Sequence, residues 1–398
     1  MPLQSLRLKK NEEKRLKNGH LWIYSNEVDT QQTPLKQFSI GELVNVEAST
    51  GKYLGTAYIN PNNLLCGRLI NRNPQIAIDR SFFVHRLNIA LSLRQRLFTQ
   101  PFYRAVYGES DGLPGLIVDR FGEHLAIQIT TAGMELLKSA IIDALLKVFS
   151  PTSILIRNDT RARQAENLSD VVEQAHGITP QTLTITENNT QFIIHPFSGQ
   201  KTGWFFDHRV SRQQIARYTE GKRVLDVFSY IGAFGLQMAN HGASEVWCID
   251  VSGKALDELQ VNAQHNKVAD KVTCIEGDAF SAMTELKQQN EKFDLVIVDP
   301  PAFIKKRKDH RAGLKAYQKI NEAAMRLLSK DGILLSASCS MHLKTSELQD
   351  CLRAGSRHLD KTLQIIEQCH QGPDHPIHPA IEETRYIKGF ISRVLTNR

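Results

Sequence analysis

Cysteine is scarce in this chain: six thiols in 398 residues, at positions 66, 248, 274, 339, 351 and 369, none of them in a CxxC pair. That scatter excludes a disulfide framework and argues against a structural zinc site. Long apolar runs are missing too. No stretch approaches the roughly 18 consecutive apolar residues that a bilayer demands, so no membrane span is expected. The opening MPLQSLRLKKNEEKRLK carries basic residues with no apolar run behind them, unlike a secretory signal. Internal repeats and low-complexity tracts are absent. What is there is 41% hydrophobic and 23% charged, a balance that builds a packed core. The 49 Lys and Arg against 42 Asp and Glu leave +7, which permits nucleic-acid contact without establishing it. At roughly 150 residues per domain the length suggests two or three domains. The cytoplasm is the expected compartment, and a homodimer is left open.

The block 1–75 is rich in short strand-like runs. ELVNVEAS, KYLGTAYI and LLCGRLI are separated by Thr50-Gly51 and by Asn60-Pro61-Asn62-Asn63, the pattern of a small β-barrel or sandwich. Ahead of them, residues 8–18 read as a short basic helix, followed by an aromatic strand, His20-Leu21-Trp22-Ile23-Tyr24. Those aromatics either stack on RNA or fill a core. The block 76–185 mixes elements: helices over 77–97 and 135–149, a hairpin around Asp119-Arg120-Phe121-Gly122, a strand at 153–157 and a Gly/Pro/Asp-dense loop, GESDGLPG. In the block 186–398 a hairpin turning at Asn188-Asn189 precedes strand–helix alternation. RVLDVF, EVWCID, KVTCIEG, FDLVIVD and GILLSAS are the strands, with helices at 232–240, 254–265 and 317–328. This predicts an α/β, doubly wound, Rossmann-like parallel sheet, with YIKGFISRVL as an antiparallel edge.

Ligands of such sheets bind at the carboxyl ends of the strands. There the sequence holds Asp226 and Phe228 in RVLDVF, then Ser229-Tyr230-Ile231-Gly232-Ala233-Phe234-Gly235. A dinucleotide fingerprint would have glycine where Tyr230 stands, so a pyrophosphate is disfavoured. Asp250 is placed for a ribose diol, Asp278 for an exocyclic adenine amine, and Asp299 ends FDLVIV. Each alone could be a helix N-cap. Together they fit S-adenosylmethionine, a nucleoside without pyrophosphate that carries a sulfonium. His370, His375 and His378 are spaced around prolines and make no helical pair, so no metal is expected.

The order DVFSYIGAFG, Asp250, GDAF, DPPAF resembles the class I S-adenosylmethionine-dependent methyltransferases. With HLWIYSNEV, GESDGLPGLIVDRFG, KTGWFFDHR and SCS (338–340) in the same order, the whole chain resembles the ribosomal RNA large subunit methyltransferase I family. That resemblance implies an N-terminal PUA domain and methylation of carbon 5 of a cytosine in 23S rRNA. It also implies cofactor contacts from Lys201, Phe206, Asp207 and Arg209. Carbon 5 is a poor nucleophile until a thiolate adds to carbon 6. Cys339 ends GILLSAS with Ser338 and Ser340 beside it, and the family pattern implies the same nucleophilic role. As nucleophile it should be partly exposed, with a depressed pKa. Asp299 could hold the base at N3 or the exocyclic amine. Pro301 stands where many RNA cytosine methyltransferases carry a second Cys, which leaves the base for the carbon 5 proton unidentified. Guanine N7 methylation, which needs no thiolate, is the alternative. A small-molecule methyltransferase and a non-catalytic RNA-binding factor are further readings. RNA phosphate is expected at Lys9, Lys10, Lys14 and Arg15, and at Lys305, Lys306, Arg307 and Lys308.

Overall fold

Five short strands form the N-terminal sheet in the computed structural model, which describes residues 3–397. They are β1 (Gln4–Arg7), then, after the single helical turn α1 (Lys14–Lys17), β2 (Trp22–Tyr24), β3 (Leu43–Glu47), β4 (Tyr53–Ile59) and β5 (Leu65–Asn71), in the order β1-β3-β4-β5-β2. Alternation does the folding here: in LVNVE it is Val44 and Val46 that turn into the core with Leu6, Ile23 and Leu69. The helix expected over 8–18 shrinks to that one turn. Leu8 instead bridges to Val28, and Asn11 adopts a left-handed φ of 74° that interrupts any helix.

A second sheet comes next in the chain. Its elements are α2 (Arg80–Leu97), β6 (Phe102–Tyr107), β7 (Leu116–Phe121), β8 (His124–Ile129), α3 (Ala132–Leu136), α4 (Lys138–Phe149), β9 (Ser153–Arg157), α5 (Arg161–Ala165) and β10 (Val172–His176). The strand order is β10-β9-β8-β7-β6. Asp79 caps α2 by accepting from the Phe82 N–H at 3.0 Å. The helix expected over 135–149 breaks at Leu137 into α3 and α4. Both sheets belong to one compact unit, Met1–Leu183 with Ile194–Phe206 and Pro373–Thr384.

The second unit comprises Thr184–Ile193, Asp207–Gly372 and Arg385–Arg398. It opens with the hairpin β11 (Leu183–Glu187) and β12 (Thr190–Ile194), turning at Asn188 and Asn189 with φ of 49° and 62°, as a two-residue hairpin turn requires. Next come α6 (Arg209–Ala216), β13 (Arg223–Val227), α7 (Gly235–Asn240), β14 (Glu245–Asp250), α8 (Gly253–His265), β15 (Val272–Glu276) and α9 (Ala279–Gln288). The chain continues through β16 (Phe293–Val298), α10 (His310–Leu327), β17 (Leu328–Ser338), α11 (Thr345–His358), β18 (Lys361–Cys369) and β19 (Lys388–Thr396). The seven strands run β15-β14-β13-β16-β17-β19-β18, so the order reverses at β13. That reversal opens the crevice where doubly wound sheets bind ligands.

Two expectations are corrected. YIKGFISRVL is not the edge: β19 lies inside the sheet, paired antiparallel with both β17 and β18. The edge is β18, which gave no strand signal because its alternation is weak, with Ile365 and Ile366 both exposed. The helix expected from Tyr317 starts two turns earlier, at His310. No helix among the described residues is long and apolar enough to cross a membrane.

Candidate active site

Pairing registers bring the expected residues to one end of the second unit's sheet. Val227 of β13 aligns with Ile249 of β14 and with Val298 of β16, and Val298 aligns with Ser336 of β17. Phe228, Asp250, Asp299 and Cys339 therefore lie at the ends of four adjacent strands.

The turn after β13 is bent more sharply than a helix start. Phe228 and Tyr230 hold left-handed φ of 67° and 50°, conformations that cost a bulky residue of order 1–3 kcal/mol. The turn is held by hydrogen bonds: Phe228 and Ser229 N–H groups donate to Ile249 O at 2.9 and 3.0 Å, and Tyr230 N–H donates to Asp250 Oδ2 at 2.8 Å. Gly232 (φ 84°) has no room for a Cβ, which would meet Leu259 at 2.8 Å. The helix expected at 232 begins only at Gly235, whose own Cβ would lie 2.7 Å from Cys248 Sγ.

Asp226 is buried beneath this turn. Its Oδ2 accepts from the Gly235 N–H at 2.8 Å, while Oδ1 has no hydrogen-bond partner among the described residues. Burial pushes its carboxyl up to about 7; the Gly235 N–H opposes the rise, and the charges of Asp299 and Asp250 add to it. Asp250 also accepts from Ser252 N–H at 2.9 Å, leaving lone pairs for a ribose diol. Asp278 is exposed and caps α9, accepting from Ser281 N–H at 3.1 Å. A buried acid with an orphaned oxygen, a second carboxylate at the next strand tip and a turn without a phosphate cradle fit a cationic nucleoside.

Cys339 is half-buried, and its two serine neighbours are hydrogen-bonded. Ser338 Oγ lies 2.7 Å from the Tyr317 hydroxyl and accepts from Ser340 N–H at 3.1 Å; Ser340 Oγ donates to Ile304 O at 2.7 Å. The buried Lys388 ammonium donates to Ser340 O at 2.6 Å. Beside Asp299, the imidazole of His208 brings Nε2 to 3.4 Å from Oδ1; His208 is buried, and its Nδ1 has no hydrogen-bond partner among the described residues. His208 was missed although it stands inside KTGWFFDHR, because its position beside Asp299 comes from the fold. Lys388 and Tyr317 gave no signal at all.

Family models match at both ends of the chain, a PUA-like domain over residues 6–72 and an S-adenosylmethionine-dependent methyltransferase over residues 162–383. Proteins named ribosomal RNA large subunit methyltransferase I match end to end. The one from Aliivibrio fischeri is 34% identical over 98% of this chain and 99% of its own length; the one from Erwinia tasmaniensis is 35% identical over 98% of each. The chain belongs to the ribosomal RNA large subunit methyltransferase I family. Its cofactor is accordingly S-adenosylmethionine. Two solved structures share the fold of this chain: a methyltransferase from Streptococcus mutans (TM-score 0.83, 20% identity, 98% of this chain and all of that one) and a methyltransferase complexed with SAH (TM-score 0.84, 19% identity, 99% and all).

The remaining family-implied residues fall in both units. In the first, Lys201 (φ 52°) is exposed with Nζ 4.4 Å from the Phe205 ring centre, and buried Phe206 stacks on Phe121 at 5.6 Å. In the second, Asp207 accepts from the Tyr386 hydroxyl at 2.6 Å, and Arg209 Nε is 3.5 Å from Glu187. Of the expected RNA contacts, Lys9, Lys10, Lys14 and Lys305, Lys306, Arg307, Lys308 are exposed. Arg15 is engaged internally, donating to Trp22 O at 2.9 Å and lying 4.9 Å over the Tyr24 ring. The Trp22 indole donates to Glu109 at 2.9 Å.

Proposed function

We propose that this enzyme methylates carbon 5 of a cytosine in 23S rRNA through a covalent adduct with Cys339. The observation that carries the reading is a half-buried thiol at the end of β17 beside the strand that ends in Asp299. The names of the full-length relatives support a ribosomal RNA substrate, and with it a cytoplasmic setting. In this reading the cofactor supplies an electrophilic methyl group. Asp226, Phe228, Tyr230, Gly232, Asp250 and Asp278 form its cradle, joined by Asp207 and Arg209 of the same unit. Three functional parts, 1–75, 76–185 and 186–398, divide the work, with RNA gripped by Lys9, Lys10 and Lys14 and by Lys305 to Lys308, while Arg15 holds the fold beside them.

Chemically, the Cys339 thiolate adds to carbon 6, and the electrons of the 5,6 double bond move to carbon 5, which becomes an enamine-like nucleophile. Asp299 orients the base. Once carbon 5 carries the methyl group, its proton leaves to a base, the double bond re-forms and the thiolate departs from carbon 6. His208, 3.4 Å from Asp299, orients that carboxylate as a proton acceptor.

The test is transfer of labelled methyl from S-adenosylmethionine to unmodified 23S rRNA, with identification of the nucleoside that takes the label. Label in 5-methylcytidine is the expected result. Label confined to guanosine would overturn it in favour of guanine N7 chemistry.

A further inference from the structure

The second unit carries a feature that the methyl-transfer site does not use. A cavity of about 700 Å³ lies at the amino-terminal ends of β16, β17 and β18, the end of the sheet opposite Asp299 and Cys339. Five of its ten lining residues are cationic and none is acidic: Lys287, Lys292, Arg326, Lys330 and Lys361. Of the carboxylates that adjoin them in sequence, Asp360 does not line the cavity and accepts from Asn397 Nδ2 at 3.4 Å, and the other three are committed elsewhere. Glu291 accepts from Arg223 at 2.9 Å, Asp294 from Arg223 N–H and Ser329 Oγ at 3.1 and 3.0 Å, and Asp331 from Arg393 at 2.7 Å.

Part of this charge has an internal explanation. Helices α9, α10 and α11 all end close to these positions, and helix carboxyl termini attract cations. Lys292 Nζ donates to Arg326 O at 2.6 Å and Lys361 Nζ to Met325 O at 2.8 Å, so both cap the last turn of α10. Capping does not account for Lys287, Arg326 and Lys330, whose side chains have neither a hydrogen-bond nor an ion-pair partner among the described residues. The cluster is also repulsive: the Lys361 ammonium is pushed below its ordinary value by burial first and then by the charges of Lys292 and Arg326. An arrangement of like charges with no carboxylate among its lining residues is relieved by a bound anion.

We infer that this cavity is a second RNA-binding surface, in which Lys287, Arg326 and Lys330 bind backbone phosphates of the rRNA on the side of the methyltransferase sheet away from the target base. The proposal rests on the rRNA reading above. The chemistry recognised is the phosphodiester rather than any base, because ammonium and guanidinium groups at an open cavity neutralise phosphate without reading sequence. β16 is six residues long, so the cavity and the strand tips lie roughly 20 Å apart along it, a span that a folded rRNA segment covers easily.

The test uses the full-length protein and in-vitro transcribed, unmodified 23S rRNA. In the triple variant K287Q/R326Q/K330Q, with Lys292 and Lys361 left to cap α10, the salt dependence of RNA binding should flatten by about three in slope. The Kd at low salt should rise at least about tenfold, while affinity for S-adenosylmethionine stays that of the wild type, which shows the fold is kept. An unchanged Kd and slope in a variant that still binds the methyl donor overturns the cavity proposal. A wild-type protein that fails to bind the rRNA at all would instead overturn the rRNA reading on which it rests.

Discussion

Cys339, His208 and Asp226 each serve the proposed site differently, and each can be tested alone. The Ser338–Tyr317 contact does not involve the Cys339 side chain, so Cys339→Ala should leave that contact and the fold intact. Methyl transfer to rRNA should fall at least ~10³-fold with RNA affinity unchanged; full activity would exclude the thiolate. His208→Ala should lower kcat roughly tenfold or more at unchanged KM for RNA, with His208→Gln, which keeps a donor toward Asp299, recovering part of the loss. A merely structural role would lower stability without that split. Asp226 gives a pH signature. Burial pushes its carboxyl up to about 7, so in the folded state it keeps a proton that the unfolded chain loses near pH 4. The stabilisation is therefore complete below about pH 4, is lost as pH rises, and is gone above about pH 7. Spread over about three pH units at 1.4 kcal/mol each, the effect is on the order of 4 kcal/mol. Urea melts should show wild-type stability falling relative to Asp226→Asn between pH 4 and 7. Parallel pH profiles would contradict the buried, protonated Asp226.

At the scale of elements, the turn after β13 joins sequence to site most directly. Gly235 packs α7 against β13 and β14 so closely that a methyl group would meet Cys248 Sγ at 2.7 Å and Asp226 Oδ2 at 3.2 Å. Gly235→Ala should therefore cost about 1–3 kcal/mol and weaken binding of S-adenosylmethionine, read by thermal melts and by titration. An equal melting temperature would mean the helix can retreat. This turn also marks how far the sequence could be read. Glycine spacing and the acid at each strand end were visible in it, because strand–helix alternation has a strong periodic signal. The left-handed Phe228 and Tyr230 were not, since nothing in residue type asks for such conformations; hydrogen bonds donated to Ile249 O and Asp250 Oδ2 impose them. β18 was invisible for a related reason. Its side chains do not alternate, and only pairing with β19 makes it a strand. His208 and Asp299, 91 positions apart, meet through the fold alone.

For the whole chain, the question is whether the strand-rich N-terminal block stands apart from the sheet that packs beside it. A boundary at residue 75 is natural in composition, yet the cores on either side share residues. Tyr58 and Ile70 pack into the core of the second sheet, and the Tyr58 hydroxyl donates to Pro114 O at 2.7 Å. Glu166, buried, is held by Arg68 at 2.8 Å and by Asn60 at 2.9 Å. A chain beginning at residue 76 would lose the burial of two large side chains, each contributing about 1.5–3 kcal/mol. It would also strip the Glu166 carboxylate of its Arg68 and Asn60 partners. Together these losses are a large fraction of the roughly 5–15 kcal/mol that holds an ordinary domain folded. Residues 76–398 should accordingly show loss of cooperative melting and strong hydrogen exchange in 76–183, while the sheet from 223 onward keeps its protection. Arg68→Ala in the full chain, where Glu166 stays buried without its cation, should by itself cost about 3–5 kcal/mol, read by urea melts. A truncated chain that melts like the intact protein would make the N-terminal sheet an independent module and its loss a clean test of RNA affinity. Destabilisation instead requires that RNA contacts there be tested by single substitutions at Lys9, Lys10 and Lys14, which are exposed and leave the shared core untouched.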